Sequence, residues 1–263
     1  MKKLYEIFRA ICLLALASPL VLAWLPADLI ADGLAPEFAA ALQSSFRQLS
    51  ITLAATLALA MILTVTLGYA SVLSLRFGRA GASVLNAVES VPAILVALFC
   101  YAPVSGYLAR HASGASQNIS LIVFILAATL TTLPEAVRGV AIPLGDLYHR
   151  KYSLSFRSYG FTKKRILAVL LGSRAMLNTL KRVSAGILLK TLVLDCSFGF
   201  IIQLGFGSYG TPAHASPGAL IAANRDALFE GGTPILFWLP SLILVAISTA
   251  FLLTLSDREE VVA

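Results

Sequence analysis

Residues 143–174 read PLGDLYHRKYSLSFRSYGFTKKRILAVLLGSR, a basic, aromatic-rich segment between two long apolar runs. It is both polar and patterned, so contact with a partner outside the membrane is expected here. Asp146 is placed as an N-cap after a break at Pro143 and Gly145. Tyr148, Tyr152, Phe156 and Tyr159 then recur at i, i+4, i+8 and i+11, which predicts four rings on one helical face. Arg150, Lys151 and Arg157 fall off that face. Gly160 suits the left-handed residue that ends a helix, and Thr162 caps a second helix from Lys163, whose basic first turn runs into the apolar ILAVLL. The expected shape is a short amphipathic helix, a tight glycine turn and a second helix returning to the membrane. The same pattern also fits an interfacial helix with its aromatic side in lipid and its basic side towards anionic headgroups.

Composition sets the class. Of 263 residues, 58% are hydrophobic and 13% charged, with mean hydropathy +0.86, whereas about a quarter of a soluble domain is charged. The chain is expected to be an all-α polytopic membrane protein. Its net charge of +7 does not indicate nucleic-acid binding, because the basic residues sit between apolar runs and form no soluble patch. Cys12, Cys100 and Cys196 lie in apolar stretches without CxxC or metal spacing and read as small core residues.

Six spans are expected. The first, about residues 7–25, follows Lys2, Lys3 and Arg9 and is read as a retained helix in preference to a signal peptide. Residues 26–48 read as an external loop or amphipathic segment, so that 1–48 form an N-terminal unit and 49–263 a five-helix core. Spans follow at about 49–73, 84–104, 119–142, 175–203 and 234–255, the third with Glu89 and Pro92 near its start. Glu135 and Arg138, three residues apart, are expected to pair within one helix. Lys190 and Asp195 fall inside the fifth span, where ionisable groups are costly and usually face a bundle interior or water; with Glu89 they are the candidates for lining a pathway. The glycine-rich stretch 204–233 is too polar to span and is expected to fold back as a re-entrant or amphipathic cap.

Six spans place both termini on one side. Sixteen of the twenty basic residues then share that side, against Arg47, Arg110 and Arg225 on the other, with Lys190 inside a span. The positive-inside rule makes the richer side, and the segment around Tyr152, cytoplasmic.

Six spans with one long patterned cytoplasmic loop before the fifth resemble the permease subunits of binding-protein-dependent ABC importers, within them the C-type permease of dipeptide, oligopeptide and nickel systems. The loop of that family carries Tyr-x-Glu-Ala-Ala-x-x-x-Gly-Ala-Ser followed by a basic-apolar run. Here Tyr152 is followed by Leu154, Ser155 and Phe156 in place of Glu-Ala-Ala, then by Gly160, Phe161 and Thr162 and by RIL at 165–167. NAVESVPAILVA, VRGVAI, LGFGSYGTP, PGALIAANRD and WLPSLILVAIS are similar to other stretches of the family in the same order, over about residues 45–260.

The resemblance implies an importer-type permease fold in a bacterial cytoplasmic membrane, moving a peptide, nickel or metal-chelate solute by alternating access. It implies pairing with a homologous permease, two ATPase subunits that use ATP and magnesium, and an extracytoplasmic solute-binding protein. The loop at about 143–174 would be the coupling element, with Tyr148, Tyr152, Phe156 and Tyr159 in an ATPase groove, Arg150, Lys151 and Arg157 orienting it, and Gly160 and Thr162 shaping it. The chain has no phosphate-binding GxxxxGK[ST] of its own and no cofactor is expected in it. Two other classes stay open: an energy-independent carrier or channel, and a membrane-embedded lipid-modifying enzyme.

Overall fold

The structure, a computed structural model, describes residues 36–110, 114–205, 216–229 and 232–256. The expected first span, the stretch FGSYGTP at 206–212 and the terminal DREE lie outside the described residues. All regular structure among the described residues is helical: α1 (Pro36–Leu73), α2 (Leu75–Glu89), α3 (Ala93–Arg110), α4 (Gly114–His149), α5 (Lys151–Ser158), α6 (Lys163–Leu171), α7 (Arg174–Gly205), α8 (Pro217–Ala223), a 3-10 turn at Arg225–Leu228 and α9 (Ile235–Ser256).

Four described helices are long and apolar enough to cross a membrane: α1, Ile119–His149 of α4, Arg174–Leu204 of α7 and Ile235–Leu252 of α9. The bent pair α2 and α3 makes a fifth if counted as one span. These are helices that are hydrophobic all round, the composition of a membrane protein. Exposed Ile51 and Ile62 on α1 and Leu242 and Val245 on α9 show it: the outward faces are as apolar as the buried ones.

α1 begins at Pro36, whose missing N–H costs nothing at a first helical position, with Glu37 in the positive first turn. It therefore starts well before the Leu49 expected from hydropathy. Its inner face buries Phe38, and Leu42, Phe46, Leu49 and Leu53 pack with Leu192, Ile247 and Phe251 of α7 and α9. Small residues then let the backbones converge. Ala60, Ala136 and Ile187 meet where α1, α4 and α7 cross, and a Cβ on Gly68 would stand 2.9 Å from Val140 Cγ1. The hydroxyls of Ser45, Ser50 and Thr52 on α1 donate to carbonyls three or four residues back and so stay satisfied, whereas those of Thr56 and Thr64 are buried without a hydrogen-bond partner among the described residues.

The third span, expected at about 84–104 with a kink at Pro92, is broken there into two helices. α2 ends at Glu89 and α3 starts at Ala93, with an 88° bend across Ser90, Val91 and Pro92. The three linking residues are exposed, so no packing opposes the break that Pro92 favours. At Pro143 the outcome is the reverse. α4 runs through Pro134, Pro143 and Gly145 to His149, and Asp146 is interior to it and caps nothing. Leu144 and Leu147 are buried there against Ile166, Leu167, Leu170 and Met176, which outweighs one lost backbone bond.

α8 is the folded-back element expected after α7. Ser216 caps it, its hydroxyl accepting from Ala219 N at 3.2 Å, and Pro217, Gly218, Ala219 and Ala222 are buried against α7, α9 and α1. A Cβ on Gly218 would fall 1.8 Å from the Cys196 carbonyl oxygen, so glycine is required for this approach.

Candidate functional site

Two polar regions stand out: the α5–α6 hairpin and a set of charges within the spans.

The hairpin starts at Arg150, which is extended and precedes α5 without a side-chain cap. Its turn is a Schellman closure. The N–H of Phe161 donates to Phe156 O at 3.1 Å and that of Gly160 to Arg157 O at 2.9 Å, while Gly160 takes φ 77°. The rings of Phe156 and Phe161 meet edge-on with centroids 5.9 Å apart, the apolar contact that accompanies this motif. Thr162 then stands at the N-cap of α6, as expected, although its side chain makes no cap bond.

The hairpin is fixed to the spans at three points. Ile166, Leu167 and Leu170 of α6 are buried against α4. Lys163 Nζ donates to Leu73 O at 3.2 Å at the carbonyl end of α1, where a cation is favoured. Tyr69 Oη donates to Lys164 O at 2.9 Å.

The expected four-ring stripe is divided by the break at Arg150. Tyr148 belongs to α4 and its ring lies inside the hairpin, with the Arg157 guanidinium 4.0 Å and Lys163 Nζ 5.4 Å from its centre. Arg157 also donates to Tyr148 O and is half-buried, so it holds the hairpin together from within. Tyr152 lies in α5 and its side chain is outside the described residues. Phe156 and Tyr159 are exposed, the latter at 81%. Leu154, Phe161 and Val169 join them in an outward apolar surface that the four-ring count did not contain. Phe156, Phe161, Arg165, Ile166 and Val169 line a shallow apolar cleft, with the Arg165 guanidinium 5.0 Å from the Phe161 ring. Arg150 and Lys151, at the start of the hairpin, are exposed.

Within the spans, Glu135 and Arg138 do not pair with each other. Arg138 binds Glu89 at the α2–α3 bend, and Glu135 binds Lys190 on α7. Their side chains leave α4 towards different neighbours, and each finds an opposite charge there. Of the three pathway candidates, Glu89 and Lys190 are thus half-exposed and ion-paired, whereas Asp195 is fully buried in α7 beside Cys196. The Glu135–Lys190 partnership spans 55 residues of sequence, and no local signal announces it.

No protein-family model, curated protein or solved structure matches the chain.

Proposed function

We propose that this chain is a transmembrane permease subunit of an ATP-driven importer in a bacterial cytoplasmic membrane. It pairs with a homologous permease, receives solute from an extracytoplasmic binding protein and is driven by two ATPase subunits that hold ATP and magnesium. Peptides, nickel and metal chelates are the solute classes the resemblance implies. ATP-driven closure of the ATPases would move the hairpin and, through it, the spans, opening the pathway alternately to each side.

The observation that carries this reading is the hairpin's outward apolar surface. A free loop would bury its large apolar side chains, but here Leu154, Phe156, Tyr159 and Phe161 face out, while Arg157 is turned inward onto Tyr148. An exposed apolar patch, with exposed Arg150, Lys151 and Arg165 on the same hairpin, marks a protein contact. Its anchors on α1 and α4 make it a lever that transmits force to two spans.

Affinity isolation of the tagged chain in mild detergent, with mass spectrometry and ATPase assay of the eluate, tests the proposal. A second permease-like chain with ATPases is the expected result. A lone chain without ATPase activity, from membranes that contain those neighbours, overturns it.

A further inference from the structure

The Glu135–Lys190 pair lies deep in the spans. Lys190 is eight residues beyond Arg182, about 12 Å along α7, and Glu135 is eleven residues before Asp146, about 16 Å along α4. With Arg182 and Asp146 at a membrane surface, the pair falls near the midplane of a hydrocarbon layer about 30 Å thick. Yet Lys190 and Glu135 are 49% and 66% exposed, and Arg138 and Glu89, nearer the same surface, are 45% and 46% exposed. Four half-bare charges against acyl chains are the most costly placement a span offers.

The space on one side of the pair is open. Gly186 lies one turn before Lys190 on the same face of α7, and a Cβ there would meet nothing within 4 Å. Gly139 on α4 differs, since its Cβ would stand 2.9 Å from Val183 Cγ2. On the other side of the pair the same face of α7 turns apolar, with Val193 and Phe200 exposed. Charge, open volume and apolar closure therefore follow one another along a single face.

We infer that Glu135 and Lys190 mark the inner end of a water-filled vestibule. It enters from the side of Arg182 and Asp146, and beyond the pair Val193 and Phe200 on the same face of α7 close it against a homologous partner chain. The inference rests on the permease reading, because the second wall is the partner. Water covers the half-exposed charges, and a polar solute crossing the membrane passes this pair before it meets the apolar seal.

The test uses spin labels on single cysteines, in a background without Cys12, Cys100 and Cys196, with the complex in native lipid vesicles. Gly186→Cys and Lys190→Cys should be relaxed more strongly by a water-soluble nickel chelate than by oxygen. Val193→Cys should be shielded from the chelate, and Ile62→Cys on α1 should respond mainly to oxygen, as a lipid-facing site does. Gly186→Cys alone carries the result if Lys190→Cys fails to assemble. Oxygen dominance at Gly186→Cys places acyl chains there and overturns the vestibule, as does exclusion of both reagents, which means a dry protein contact. Equal chelate access at Val193→Cys and Gly186→Cys overturns the seal. ATPase activity in the same vesicles reports separately on the permease reading, so an active complex with a dry Gly186 removes the vestibule only.

Discussion

The α5–α6 hairpin and the middle of the α4–α7 pair expose opposite things. The hairpin turns rings outward and folds an arginine inward, whereas the spans turn charges outward and bury apolar side chains. Each arrangement is unfavourable for an isolated chain: rings in water, charges in hydrocarbon. On the proposed permease reading the two regions have two kinds of neighbour, an apolar protein surface at the hairpin and water at the spans. A chain that lay alone in lipid would have no use for either.

Breaking the hairpin's outer face should give the largest effect. Phe156→Ala with Phe161→Ala removes two central aromatic anchors, each worth about 2 kcal/mol at a well-packed contact, and should weaken ATPase affinity by on the order of 10³-fold where the two losses add. Solute uptake by vesicles should fall accordingly while the chain stays monodisperse, and undiminished uptake would show that the rings do not dock. Arg157→Ala attacks the inner face instead. It loses the bond to Tyr148 O and the stacking on that ring, a local loss of about 2 kcal/mol. Hydrogen exchange over 150–171 should accelerate with the spans unchanged; unaltered exchange would deny Arg157 its internal role.

Gly160→Ala should cost about 1–2 kcal/mol, because φ 77° is unfavourable for any residue with a Cβ. Faster exchange confined to the same hairpin is the expected readout, and protection equal to the parent would mean that the turn has an alternative closure. At the spans, Gly186→Ala should be the mildest change. It enters open space and improves helix propensity, so a gain of up to about 1 kcal/mol in detergent stability is expected. A loss of stability, or of complex formation, would place a neighbour where the vestibule is drawn.

Much of the hairpin is legible from residue types. Gly160 stands at the turn because few residues tolerate its left-handed backbone, and Thr162 is a residue type that marks helix starts, although its hydroxyl makes no cap bond here. The break at Arg150 is not legible: arginine is no cap, and Pro143 and Asp146 upstream give stronger but misleading signals that the packing of Leu144 and Leu147 overrides. Periodicity consequently joined Tyr148 to rings on the next helix, although its own ring packs beneath Arg157. In the spans, hydropathy locates α7 and α9 closely but begins α1 late. The cause is that Phe38, Leu42 and Phe46 are spaced for one buried face among polar neighbours. The ion pairs escape local reading because i,i+3 spacing shows only which residues share a helix face, and Glu89 and Lys190 reach Arg138 and Glu135 through the tertiary fold.

The central claim is that the outward rings of the hairpin couple this chain to an ATPase. The direct measurement is ATPase activity co-isolated with the tagged chain, compared between the parent and the Phe156→Ala, Phe161→Ala variant at equal chain recovery. The account predicts activity with the parent and its loss with the variant. Equal activity in both, or none in the parent when the ATPases are present in the membrane, would contradict it.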